Sequence, residues 1–202
     1  MSKPQLLESL KKAKFHEKII QAFSKVKREN FIPKHLESMA YVDNALPLSH
    51  GQTISQPYTI AVMFSCLNIK KDQKVLEIGS GSGYVLALIS EIVGEKGQVY
   101  GVEILRELAD KSRKALRSYK NIKVYCQDGR YGLPDKSPFD RILVSAAIEN
   151  IPQEILNQLK EGGIIAAPIG PLYQQSIIAY QKHINHIAKI KEIPGFVFVR
   201  FV

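Results

Sequence analysis

Apolar residues along this chain recur first at helical spacing and then in short runs. Leu6, Leu7 and Leu10, followed by Ile19, Ile20, Phe23 and Val26, place helical spacing on residues 5–28 and predict an N-terminal helical segment that Pro33 ends. Residues 41–57 lose the pattern. Asn44, Pro47, Gly51 and Pro57 punctuate them, and Pro57 suits the start of a helix over 58–67, where a missing N–H costs nothing. Beyond that the pattern alternates: strand 75–78, helix 84–93, strand 98–102, helix 105–119, strand 122–126, strand 139–144, helix 152–159 and strand 164–169, with Gly162-Gly163 stopping the last helix. Such alternation predicts an α/β fold, a doubly wound, mostly parallel sheet with helices on both faces. Residues 176–180, 184–193 and 196–202 read as β alone and predict antiparallel strands added at one edge. The expected organisation is one domain over 1–202, with a helical and loop segment at 1–57, a core at 58–170 and a C-terminal β segment at 171–202.

The join between the first predicted strand and its helix holds the most specific chemistry. Lys74-Val75-Leu76-Glu77-Ile78-Gly79-Ser80-Gly81-Ser82-Gly83-Tyr84 reads as strand, glycine turn and helix, the entrance to a nucleotide-type site at the carboxyl edge of a parallel sheet. The usual dinucleotide spacing is G-x-G-x-x-G, which leads a pyrophosphate onto a helix N-terminus. Here Tyr84 stands where the third glycine of that pattern would be, and Glu77 puts a carboxylate at the strand tip, where a phosphate would be repelled. A cationic adenosine ligand without phosphates, such as S-adenosylmethionine, fits better.

Acids follow at the next strand tips. Glu103 lies about 20 residues beyond the turn, the spacing of a carboxylate that accepts two ribose hydroxyls, a role compatible with favouring the helix start after it. Asp128-Gly129 could accept an adenine amine while the glycine lets the ring lie close, or could be an ordinary turn dipeptide. At the fourth tip Val144-Ser145-Ala146-Ala147 lacks the polar-Pro-Pro-aromatic stretch used to hold nucleobase amines. Upstream, Gln52, Thr53 and Ser55 lead into a helix start, a natural place for a carboxylate; capping of that helix by Ser55 is the plainer alternative.

Composition narrows the picture little further. Apolar residues make up 45% of the chain and charged residues 23%, which excludes disorder as the main state. Nine Lys or Arg stand against three Glu in residues 1–35. This could be a patch for an acidic partner, but no aromatic residues alternate with the cations as a stacking platform requires, and a solvated helix face is the reading preferred. Cys66 and Cys126 lack metal or disulfide spacing. His183 and His186 would fall on opposite faces of a strand, so no metal site is expected. No signal core or membrane span is read, and the cytoplasm is the expected location.

Together these residues resemble the protein-L-isoaspartate O-methyltransferase family. The likeness runs through 26–33, Tyr41-Val42-Asp43, Leu46-Pro47-Leu48, Gly51-Gln52-Thr53-Ile54-Ser55-Gln56-Pro57, the glycine loop, Gln127-Asp128-Gly129-Arg130, Pro138-Phe139-Asp140, 158–163 and Pro168-Ile169-Gly170. The glycine loop is shared by many methyltransferases; the stretch at 51–57 is specific to this family.

The resemblance implies a class I, Rossmann-like methyltransferase fold, S-adenosyl-L-methionine as donor with S-adenosyl-L-homocysteine as product, and the α-carboxylate of L-isoaspartyl residues in damaged proteins as acceptor. It assigns Ser55 to the active site and Thr53, Ile54, Glu77, Gly79, Ser80, Gly81, Glu103, Asp128 and Gly129 to the cofactor. The methyl ester is expected to cyclise to a succinimide that reopens partly to aspartate, which amounts to protein repair. Gln127 stands where the family usually has glycine, and family chains run on past the Val199-Arg200-Phe201-Val202 stretch at which this one stops. The partners implied are isoaspartyl proteins and peptides, with no membrane, no nucleic acid and a monomeric state. A methyltransferase acting on RNA or a small molecule is the competing reading, and a cofactor-binding module without transfer activity a third.

Overall fold

The computed structural model describes residues 1–171 and 173–201. The N-terminal apolar stripe is divided between two helices, α1 (Lys3–Lys12) and α2 (Glu17–Lys25), rather than one continuous segment. A turn separates them, with Lys14 at φ 60°, and His16 starts α2 by accepting from the Lys18 amide through Nδ1. Ser2 and Gln5 form a reciprocal capping box at the start of α1. Two short 3₁₀ turns, Arg28–Phe31 and Lys34–Met39, lead to a small antiparallel pair, β1 (Leu46–Pro47) and β2 (Thr53–Ile54).

The core then unrolls as α3 (Pro57–Leu67), β3 (Lys74–Ile78), α4 (Tyr84–Val93), β4 (Gln98–Glu103), α5 (Arg106–Ala115), β5 (Ile122–Cys126), β6 (Phe139–Val144), α6 (Gln153–Asn157), β7 (Leu159–Ile169), β8 (Gln175–His183) and β9 (His186–Phe196). The seven strands order as β5-β4-β3-β6-β7-β8-β9. Pairings from β5 to β7 are parallel, and β8 and β9 add on antiparallel. After β5 the chain crosses back to place β6 beside β3. The crevice this opens at the carboxyl ends of β3 and β6 is where α/β sheets bind ligands.

Alternation along the strands divides the core. Val75, Val99 and Leu143 face a cluster built with α2, α3 and α4, while Leu76, Ile78, Val102, Ile142 and Val144 face a second cluster that includes Ile155 of α6 and Leu133. The helical cover on that second face is thin, since α6 has five residues.

Four local expectations change. Gly162-Gly163 does not stop a helix but lies inside β7: partners shift from Phe139↔Leu159 to Arg141↔Ile164, so the glycines form a bulge, with Gly162 at φ 74°. The predicted strand over 184–193 begins at His186, because Ile184 and Asn185 are a hairpin turn. That turn pairs His183 with His186, and their rings stack at 4.7 Å instead of pointing to opposite faces. Among the described residues, no group of three or more His, Cys, Asp or Glu could hold a metal ion. Strand β9 ends at Phe196, and residues 197–201 do not continue it: Arg200 bridges to Ala147, and Val202 lies outside the described residues. Among the described residues no helix is long and apolar enough to cross a membrane.

Candidate active site

At the end of β3 the chain turns through Gly79 and Gly81 and enters α4 at Gly83. The amides of Gly79 and Ser80 both donate to the Val102 carbonyl, which pins the turn to β4. Gly83 has φ 85°, and a Cβ there would stand 2.3 Å from Ser112 Oγ and 2.8 Å from Leu116. The third glycine therefore exists so that α5 can pack against the turn.

A cleft of about 560 Å³, partly open to solvent, lies over this turn. Its walls include Thr53, Gly79, Gly81, Glu103, Gly129 and Phe201. Glu103 is buried, with Oε2 accepting from the Gly81 amide at 2.8 Å and Oε1 from the Leu105 amide at 2.9 Å. Each oxygen keeps a further lone pair, so the pair can receive two neighbouring hydroxyls. Gly129 meets the Phe201 ring so closely that a Cβ would lie 3.3 Å from it.

The three acids at the strand tips do not form one surface. Of the three, Glu103 alone lines the cleft. Glu77 is 1% exposed and sits beneath it, between Gly101 and Leu143 in the sheet. Ser145 Oγ is 2.7 Å from Glu77 Oε1, whereas Oε2 is buried with no hydrogen-bond partner among the described residues. Burial, reinforced by nearby Glu103 and opposed by the Ser145 hydrogen bond, pushes the Glu77 carboxyl up to about 8. Asp128 faces Arg130, which donates to it from the backbone at 2.8 Å and from Nε and Nη2 at 2.9 and 2.6 Å. These bonds hold its carboxyl below the usual range. Ile54 and Ser80 are also buried rather than part of the lining.

A second groove, about 710 Å³, is lined by Ser55, Gln56 and Thr59 with Asn44 and residues 195–199. It shares Thr53, Ser145 and Val199 with the cleft, so the two spaces meet at those residues. Ser55 does not cap α3. Gln56 occupies the cap position without a side-chain bond, and the Tyr58 amide instead donates to Asp43 Oδ1 at 2.8 Å.

Sequence reasoning missed what holds this groove. Arg28, counted there among the cations of a solvated face, is fully buried. Nη1 donates to the carbonyls of Ala40 and Val42 at 2.9 and 3.3 Å, and Nη2 donates to those of Asn44 and Ser55 at 3.0 Å each. One planar guanidinium thus gathers the whole irregular stretch. Lys3 and Lys18 likewise donate to the carbonyls of Val26 and Ile69. The groove's other wall is residues 195–199, and residues 199–201 are fastened by the Ala147 amide donating to the Val199 carbonyl at 2.8 Å and the Phe201 amide to the Ala147 carbonyl at 3.0 Å. His50 Nε2, 2.8 Å from Glu107 on α5, ties the loop before β2 to the cleft's far side.

These residues fit a cationic adenosine donor. Glu103 suits a ribose diol. The Glu103 carboxyl at the lining opposes a phosphate at this turn.

Comparison with known proteins agrees with this chemistry. Residues 1–202 match the family described as Protein-L-isoaspartate(D-aspartate) O-methyltransferase. A protein-L-isoaspartate O-methyltransferase of Methanothrix thermoacetophila is 39% identical over 204 residues, covering 100% of this chain and 95% of that protein. One from Methanosarcina mazei is 44% identical over 179 residues, 88% of this chain and 73% of that protein. A solved protein-L-isoaspartate O-methyltransferase superposes with a TM-score of 0.89 at 31% identity, over 98% of this chain and 65% of that one. A Plasmodium falciparum structure, solved with S-adenosyl-L-homocysteine, shares the fold with a TM-score of 0.85 at 24% identity.

Proposed function

The chain belongs to the protein-L-isoaspartate(D-aspartate) O-methyltransferase family, and we propose that it transfers the methyl group of S-adenosyl-L-methionine to the α-carboxylate of L-isoaspartyl residues in damaged proteins. The observation that carries this reading is the meeting of a diol-accepting cleft and a hydroxyl-bearing groove at Thr53, Ser145 and Val199.

S-adenosyl-L-methionine, when bound, supplies an electrophilic methyl group together with its own neutral leaving group. The acceptor is a carboxyl group, ionised at neutral pH, so the chain needs no general base. Its task is placement. Glu103 with Thr53, Gly79, Gly81 and Gly129 would hold the donor, and Ser55 would aim the acceptor carboxylate from the groove. Such orientation is worth roughly 7–11 kcal/mol in favourable cases. Ile54, Glu77, Ser80 and Asp128 would support the cofactor from behind or beside the lining rather than form it. Both spaces are lined by one chain, so a monomer suffices. Three of the N-terminal cations, Lys3, Lys18 and Arg28, bond backbone carbonyls, which leaves a weaker case for a nucleic-acid acceptor.

The test is transfer of a radiolabelled methyl group to peptides matched in sequence, one isoaspartyl and one aspartyl. Label is expected on the isoaspartyl peptide. Equal labelling of the two, or labelling of neither, rejects the reading.

A further inference from the structure

Ser145 occupies a position that the proposed reaction does not yet use. It ends the crossing strand β6 and lines both the donor cleft and the acceptor groove. Below it lies Glu77, one oxygen within 2.7 Å of the hydroxyl and the other buried without a partner among the described residues. We propose that Ser145 is a second hydroxyl contact for the acceptor carboxylate, and that Glu77 is the positioning residue that decides which way this hydroxyl points. The inference rests on the functional reading above.

A hydrogen bond between a hydroxyl and a carboxyl group can run in either sense. With Glu77 ionised, Ser145 donates downward and turns its lone pairs toward the groove, where they repel an incoming carboxylate. With Glu77 neutral, the acid O–H donates to Ser145 Oγ and frees the serine proton to point into the groove. The surroundings favour the neutral form. Glu77 is enclosed by the sheet with Gly101 and Leu143 as its register neighbours, and Glu103 on β4 is the charged group acting on it. Burial and Glu103 both raise its carboxyl, while Ser145 opposes them, leaving it near 8. The acid form therefore prevails at neutral pH, and the acceptor meets two donors: Ser55 on the α3 side and Ser145 on the β6 side.

The experiment measures peptide KM, kcat and calorimetric cofactor affinity for the wild type, Ser145→Ala, Ser145→Thr and Glu77→Gln. A hydrogen bond to a charged group predicts that Ser145→Ala raises the peptide KM by about tenfold or more, while cofactor affinity changes by less than about threefold. Ser145→Thr, which keeps the hydroxyl, should restore most of the loss. Wild-type kcat/KM for peptide should decline above about pH 8, and Glu77→Gln, whose amide donates to Ser145 at any pH, should lack that decline. An unchanged KM in Ser145→Ala, or the same basic limb in Glu77→Gln, overturns the inference. Should Glu77→Gln fail to fold, the alanine and threonine variants decide the matter alone. A wild type that methylates no isoaspartyl peptide overturns the functional reading and this inference together, whereas wild-type transfer with an unaffected Ser145→Ala overturns the inference alone.

Discussion

The proposed donor cleft stands on the tips of strands that pair in one sheet, whereas the proposed acceptor groove is gathered from segments far apart in the chain. In the cleft, Gly79, Gly81, Glu103 and Gly129 follow directly from β3, β4 and β5, and backbone bonds of the sheet set their spacing. In the groove, Ser55, Asn44 and residues 195–199 belong to irregular backbone or to the end of an edge strand. There, side chains do the work that strand pairing does elsewhere, chiefly Arg28 and Asp43. The cleft thus relies on periodic architecture, and the groove on a few polar anchors.

The contrast is broken most severely at Arg28. Its removal strands four carbonyls, two of them at the groove. Arg28→Ala should cost about 3–5 kcal/mol in urea unfolding, and Arg28→Lys should rescue little of it because one ammonium cannot serve four acceptors. Unchanged stability in either variant would remove Arg28 as the organiser.

Next comes Glu77, on the floor shared by both sides. Its carboxyl is raised in the folded protein, so the unfolded chain ionises first as pH climbs. Stability is therefore fully present below about pH 4.5 and is lost up to about pH 8, with a slope on the order of 1 kcal/mol per pH unit. Glu107, Asp128 and Glu192, all held below their ordinary range, act only at more acid pH. Urea titrations at pH 5, 7 and 9 should show the decline in the wild type and a flat profile in Glu77→Gln.

A mirrored pair sharpens the comparison. Glu103→Gln should weaken cofactor binding by about 1.5–3 kcal/mol, since it removes the charge from a doubly bonded carboxylate. Ser55→Ala should lower turnover of peptide while calorimetric cofactor affinity stays nearly intact. If both variants move both quantities equally, the two sides do not act separately. The smallest effect belongs to Asp43→Ala, which uncaps α3 and should cost about 1 kcal/mol, with the peptide KM responding before cofactor affinity.

Legibility in the sequence divides along the same line. Strands β3 to β7 and the glycine turn announce themselves through neighbouring residues, because apolar alternation and φ > 0 positions are local properties. Arg28 bonds carbonyls between 12 and 27 residues away, and no spacing rule connects a cation to backbone oxygens at such range. Asp43 hides for the same reason, since the helix it caps begins at Pro57 and the expected cap was Ser55. The glycine pair at 162–163 imitates a helix stop and is a bulge, a difference decided by pairing with β6. At 183–186, two intervening residues suffice to bend the strand and bring the histidines together. The acids were found in the right order but not in the right orientation, because Arg130 and the depth of β3 determine where Asp128 and Glu77 face.

The outermost strand β9 gives the sheet an open margin, and its exposed positions include Lys189, Lys191, Glu192 and Pro194. Charges along a strand margin resist further pairing, a proline there withholds a donor, and the register shift opposite Ala179 and Tyr180 breaks its regularity. Such a margin leaves a loose strand little to pair with, so the sheet ends at β9 instead of growing through it.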